Sequence, residues 1–354
     1  MKLYLFNPSH DEALAAQTPY YYPTKIARHL VVEWGMLPGI WAGSGHCVWV
    51  DDAVQSIEKL QGPWCEGVRF VYKKEMNAAF WATIDAIEPW GWDPLVRLQL
   101  EKAGAPSRLL PTDEQMETYR MLSSRQTTAE VLPQLVHRLH ADGIAAVGES
   151  RIVTHFDEVT TLLNAWGGAM VKALWSCSGR GVFRVKSTLS ESEQGRIMKL
   201  LREQGAVELQ RYYEGVFDFA LEFETDEAGH THYIGPSLFR TNPLGGYSGN
   251  VITSVSTLES YIAEQLGGMQ VFSQLVDHTQ TVLTPLLAHR YAGPLGVDMM
   301  LVRTAQGVSL FPCVEVNVRR TMGHVALNLI KRKLKAEILP AELRKLWYFC
   351  TNLS

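Results

Sequence analysis

Residues 293–318 constrain the fold of this chain more than any other stretch. PLGVDMMLVRT (294–304) and VSLFPCVEVNV (308–318) are apolar, strand-like runs separated only by Ala305, Gln306 and Gly307, which specifies a hairpin. Alternate residues of a strand share a face. Val314, Val316 and Val318 are therefore expected to be buried, and Glu315, Asn317 and Arg319 to line the opposite side. Asp298, in GVDMMLV, falls on the partner strand. An ordinary half-buried strand alternates in the same way, and an edge-strand acid facing solvent would account for Asp298. The polar residues are less ordinary, because oxygen ligands beside a guanidinium suit a hard cation such as Mg²⁺ held with an anionic group.

The rest of the chain sets bounds on this reading. Its 354 residues suffice for two or three compact units, and 46% hydrophobic with 20% charged content indicates a folded protein. A formal net charge of −4 gives no global pull toward nucleic acid or anionic membrane, so neither is expected as a partner. MKLYLFNPSHDEALAA at the N-terminus is too short in apolar residues for a signal peptide. No run approaches the roughly 18 apolar residues of a membrane-spanning helix. Cys47, Cys65, Cys177, Cys313 and Cys350 are scattered and odd in number, which fits a reducing cytoplasm.

KLYLF (2–6) reads as a strand and NPSHDEALAA as a loop entering a helix, with Ser9 and Glu12 spaced as a capping box. Thr112 and Gln115 repeat that signature. Residues 104–114 form the best linker, and FDEVTTLLNAW (156–166) has helical periodicity. AMVKALW, the turn SCSGRG and VFRVKS form a second hairpin, followed by a helix over 190–205, from a serine cap to Gly205. VELQRYY, FDFALEFE and THYIGPSLFR are further strands, and HVALNLIKRKLKAEIL is expected to be one helix with a basic face. The fold class is mixed, α/β and α+β.

Lys172 sits inside an apolar strand, where an ammonium needs an anionic partner or a solvent-facing side. The SCSGRG turn offers free backbone N–H groups and Arg180, an arrangement able to close over phosphates; an exposed hairpin with a snorkelling lysine is the alternative. Arg240, in LFRTNPLGG, is either a bidentate anion clamp or a solvated arginine. Cys177 lacks an obvious nearby base and reads as a small turn residue. For Ser9 and Glu12 capping is a sufficient explanation, whereas His10 is open between a fold role and a place in a substrate pocket. The basic run KRKLK (331–335) would suit a partner surface, or simply a solvated helix face.

The succession VK, SGRGV, VELQRYYEG, FRTNPLGG, GVD and EVNVRR over roughly 112–330 resembles the ATP-grasp superfamily. The resemblance implies a preceding N-terminal α/β domain (1–111). A lid subdomain (112–209) and a core subdomain with the metal site (210–335) would follow, then a C-terminal tail (336–354). It implies ATP and Mg²⁺ as cofactors, with Asp298, Glu315 and Asn317 as the magnesium ligands. Lys172 and Arg125 would contact phosphates, and Ser178, Gly179, Arg180 and Gly181 would form the lid loop. Gln210, Arg211 and Tyr212 would stand at the adenine hinge and Asp218 at the ribose. Arg240 and Arg319 would act on substrate or transferring phosphate. The implied chemistry is ligation of a small-molecule carboxylate to an amine through an acyl phosphate. A kinase acting on a hydroxyl and a non-catalytic nucleotide-binding protein are the alternatives.

Overall fold

The computed structural model describes residues 1–54, 56–176, 181–241 and 247–350. Strands β1 (Lys2–Leu5), β2 (Cys47–Trp49), β3 (Arg69–Val71) and β4 (Ala86–Pro89) form a parallel sheet in the order β3-β2-β1-β4. The chain steps from β1 through β2 to β3, then returns to the other side of β1. Helices α1 (His10–Ala16), α2 (Lys25–Trp34), α3 (Ala78–Ala82) and α4 (Pro94–Lys102) belong to this part. Next come α5 (Asp113–Leu122) and α6 (Arg125–Ala141). The capping box of α5 forms as the spacing predicts: Gln115 N donates to Thr112 Oγ1 at 3.2 Å, and Thr112 N to Gln115 Oε1 at 2.8 Å. At α1 it does not form. Ser9 precedes the helix without a side-chain cap, and Glu12 instead accepts from the Tyr21 hydroxyl at 3.0 Å.

The second sheet is antiparallel, in the order β5-β8-β6-β7, from β5 (Ser150–Val153), β6 (Gly168–Ala173), β7 (Val182–Lys186) and β8 (Val207–Arg211). It packs α7 (Phe156–Trp166) and α8 (Glu191–Gln204) onto one apolar cluster containing Val159, Leu163, Val171 and Ile197. Gly205 ends α8 with φ +77°, a left-handed conformation that glycine adopts without steric penalty.

A third sheet carries the hairpin from which the sequence reading began. Its strands are β9 (Glu214–Thr225) and β10 (Thr231–Ser237); after β11 (Phe239–Thr241) and β12 (Tyr247–Ile252) come β13 (Gly293–Thr304) and β14 (Gly307–Asn317). The order is β10-β9-β13-β14, all antiparallel. One face presents Phe219, Leu221, Phe223, Leu295, Val297 and Val316 to the largest core, shared with α6, α9 (Val255–Leu266) and α10 (Met269–Leu287). β13 is thus an inner strand, so Asp298 is not an edge acid.

The helix after β14, α11 (Met322–Lys331), stops earlier than its sequence period suggests. Lys333 takes a positive φ of 54°, and Arg332 turns back to donate to the carbonyls of Gly39 and Ile40 at 3.1 and 2.8 Å. The basic run is therefore a turn anchored to the N-terminal part through Arg332, with Lys331, Lys333 and Lys335 exposed, rather than a continuous helix face. α12 (Ala341–Arg344) and β15 (Trp347–Phe349) follow; β15 pairs in parallel with β12 to make a small sheet, β11-β12-β15. Among the described residues no helix is long and apolar enough to cross a membrane.

Candidate active site

Directly opposed residues in a sheet point to the same face. Glu222 stands opposite Gly296, and Gly296 opposite Asn317; in the adjacent row Ala220 stands opposite Asp298, and Asp298 opposite Glu315. The face turned away from the core therefore collects Glu222, Asp298, Glu315 and Asn317, with Asp218 two residues before Ala220. Between Asp298 and Met300 the β13–β14 register shifts, leaving Pro312, Cys313 and Val314 opposite Met299. A proline has no N–H to give the ladder, so a bulge is where it fits. This bulge leaves the Val314 carbonyl available to the second sheet.

Lys172, on β6, uses it. Its Nζ donates to Val314 O at 2.9 Å and to Gln210 Oε1 at 2.6 Å, with Glu208 Oε2 at 3.9 Å. Gln210 Nε2 donates to the same carbonyl at 3.0 Å and to Glu208 Oε1 at 3.1 Å. Lys172 is buried, which removes the snorkelling alternative. Burial pulls its pKa down, against the opposing pull of Glu208. Arg125 opens α6 and is likewise buried: Nε donates to Ala173 O at 2.9 Å, and Nη2 lies 3.0 Å from Glu315 Oε1. Its Nη1 is buried without a hydrogen-bond partner among the described residues. One strand of the third sheet is thus tied to the second sheet by two cations.

Asp298 is held differently. Asn317 Nδ2 donates to its Oδ2 at 3.1 Å. Burial, then the charges of Glu315 and Glu222, push its pKa up to about 7. Glu222 is itself buried, accepting from Thr321 Oγ1 at 2.8 Å with His324 Nδ1 at 3.1 Å. A methyl at Gly323 would fall 1.8 Å from Glu222 Oε1, so position 323 admits only glycine while that carboxylate stays in place.

Arg319 lies just beyond β14 and is turned to the N-terminal part. Its Nε donates to Asp11 Oδ1 and Oδ2 at 3.3 and 3.2 Å, and Nη2 lies 3.0 Å from Asp11 Oδ2. Asp11 stays below the usual carboxylate range, because Arg319, His10 and Arg125 outweigh its burial. Other expected site residues stand further out. Arg211 pairs with Glu149 at 2.7 Å, Tyr212 lies under the Arg184 guanidinium at 3.5 Å, and Asp218 is exposed. Arg240 is exposed and sits over the Tyr348 ring at 4.5 Å rather than among the acids. Gly181, with φ +78°, leads into β7. Cys177, Ser178, Gly179 and Arg180, and Asn242 to Gly246 of the FRTNPLGG segment, lie outside the described residues.

Glu208, Glu222, Asp11 and Asp93 are the polar residues that the sequence reading passed over. An acid inside an apolar strand, as in VELQ and FALEFE, was the available signal for the first two. Asp93, which caps α4, carried none.

No protein-family model matches the sequence, and no curated protein matches it. Solved structures do. The biotin carboxylase of Campylobacter jejuni, in a β-γ-ATP complex, aligns over 97% of this chain and 72% of its own, with 12% identity and a TM-score of 0.54. The biotin carboxylase domain of Hydrogenobacter thermophilus 2-oxoglutarate carboxylase was solved with MgADP, ADP and bicarbonate. It aligns over 94% of this chain and 70% of its own, with 13% identity and a TM-score of 0.50. The chain has the ATP-grasp fold. At such identities the likeness concerns the fold alone.

The donor set also fits a Mg²⁺–nucleotide. Two carboxylates and an amide on one face are hard oxygen ligands, and Asp298 forms no ion pair among the described residues. Arg125 Nη1 is a buried donor without a hydrogen-bond partner among the described residues. Among the described residues no three His, Cys, Asp or Glu side chains form a ready cage.

Proposed function

We propose that the protein is a Mg-ATP-dependent ligase joining a small-molecule carboxylate to an amine through an acyl phosphate. One observation carries the reading: Asp298, Glu315 and Asn317 share a sheet face that Lys172 and Arg125 approach from the opposing elements. Asp298, Glu315 and Asn317 would hold Mg²⁺, which supplies charge neutralisation for phosphoryl transfer. Lys172 and Arg125 stabilise charge on the phosphate oxygens. Gly181 with Ser178, Gly179 and Arg180, the last three outside the described residues, would form the lid loop. Gln210, Arg211 and Tyr212 flank the base and Asp218 the ribose. Arg240 and Arg319 orient the acid. None of these residues needs to act as a nucleophile, because positioning and fixed charge provide the main catalytic term. The division at 111/112, 209/210 and 335/336 belongs to this proposal, as do small-molecule partners and a cytoplasmic location.

Thermal melting tests it. Mg-ATP is expected to raise the midpoint of wild type by several degrees and ATP without Mg²⁺ by less. Glu315→Gln should abolish the Mg²⁺ increment. An unchanged increment in that variant removes the metal assignment.

A further inference from the structure

His10 is an anomaly. It is 2% exposed, and neither ring nitrogen has a hydrogen-bond partner among the described residues. A buried polar group left unpaired is destabilising and calls for an explanation. Shape rather than hydrogen bonding holds the ring: a methyl at Gly91 would lie 2.6 Å from it, so the glycine lets the 90–93 backbone rest on the imidazole. Asp93 Oδ2 stands 3.7 Å from Nδ1.

The location is as telling as the vacancy in bonding. In the first sheet the strand order reverses at β1, between its neighbours β2 and β4, and ligands of open α/β sheets bind outside the carboxyl ends of the strands at such a point. Asn7 and His10 follow β1, and Gly91 and Asp93 follow β4. Asn7 Nδ2 ties the two segments together, donating to Gly91 O and Asp93 Oδ2 at 2.7 Å each. This end of the sheet adjoins the candidate active site, because Asp11, next to His10, holds Arg319. It is also acidic. Arg319 neutralises Asp11, but among the described residues Asp93 has only neutral donors, Asn7 Nδ2 and Val96 N, besides His10. A buried carboxylate without a cation favours a cationic ligand.

We propose that the acceptor binds here as an ammonium and that His10 is the base that deprotonates it, with Asp93 as the positioning residue. This rests on the ligase reading above. One ammonium proton passes to His10. The freed lone pair attacks the acyl-phosphate carbonyl carbon, the N–C bond forms, and the C–O bond to phosphorus-bearing oxygen breaks with its electron pair. The second proton leaves on the phosphate, as hydrogen phosphate, and the imidazolium returns its proton to water. Asp93 stabilises that imidazolium, as a carboxylate behind a histidine does in hydrolases.

The test uses His10→Phe, which keeps a flat ring against Gly91. His10→Gln covers the case in which the larger ring overpacks. Wild type and variants are melted with and without Mg-ATP, then assayed for ADP release with each of the twenty common amino acids as acid and amine. Hydroxylamine, uncharged near neutrality, serves as an acceptor that needs no base. At least one His10 variant should melt within about 2 °C of wild type and keep the Mg-ATP rise. Amine-dependent product should fall by about 10²–10⁴-fold, while hydroxamate formation persists. Asp93→Asn, which still caps α4, should displace the pH–rate limb assigned to His10.

If both His10 variants melt more than about 5 °C lower, the imidazole has a structural partner such as a buried water, and the proposal fails. It fails equally if amine-dependent product survives the substitution. It also fails if wild type gains the Mg-ATP rise yet no amino acid elicits turnover. Absence of the Mg-ATP rise in wild type brings down the ligase reading, and this inference with it.

Discussion

Glu315 and Asp298 face each other across one strand pair, yet their surroundings differ in kind. Glu315 has Arg125 at 3.0 Å, with Lys172 bound to the adjacent Val314 carbonyl. Asp298 meets an amide, and burial, then the charges of Glu315 and Glu222, raise its pKa. The first end is charge-balanced by the fold and serves to hold two sheets together. The second is left short of positive charge, as a site built for an incoming cation would be. Two opposed positions in one register can thus differ in how far the fold already balances their charge, and the difference is set by what the neighbouring elements contribute.

That contrast makes opposite-signed predictions. The largest effect is expected for Arg125→Met, which strands Glu315 and removes a buried charge near Glu208. Loss of one partner from a buried charge cluster should remove about 3–5 kcal/mol, read as a lower urea midpoint. Gly323→Ala comes next. The new methyl must displace Glu222, costing about 1–3 kcal/mol, and Glu222→Gln should leave that penalty in place because the clash is steric. Asp298→Asn is the smallest and has the reverse sign, stabilising the ligand-free protein by about 1 kcal/mol at neutral pH. Its folded pKa of about 7 lies above the ordinary 3.8. Stability from this group is therefore full below pH 3.8 and is lost as pH rises toward 7 and beyond. The asparagine variant should flatten that part of the stability–pH curve. If Arg125→Met and Asp298→Asn shift stability in the same direction, the two ends are not different after all.

The sequence made the hairpin legible because Val314, Val316 and Val318 alternate with polar residues and the turn between the strands is short. Helix ends at Thr112, Ser190 and Gly205 were legible too, since capping is local chemistry. What escaped the reading depends on distant partners. Arg319 and Asp11 stand 308 positions apart in sequence, and nothing local in EVNVRR says that the guanidinium turns toward the first helix. α9 and α10 passed unread, as did the pairing of β15 with β12. At α1 the spacing of Ser9 and Glu12 was right for a capping box, but Tyr21 took the glutamate. In the KRKLK run, Gly39 and Ile40 took the arginine that would have continued a helix.

The bulge at Pro312 bears on how this protein avoids its own kind. β14 is the outermost strand of its sheet, and such a strand invites another chain to add itself. Here several of its outward groups are spoken for. Leu310 bonds to the backbone at Ala145 and Val147, Val316 N donates to Thr128 Oγ1 at 3.0 Å, and Val314 O receives Lys172 and Gln210. The contacts that bring the phosphate-side lysine into place therefore also guard an association-prone edge. A variant that loosens the second sheet, such as one lacking Lys172, would expose Val314 and become sticky as well as slow.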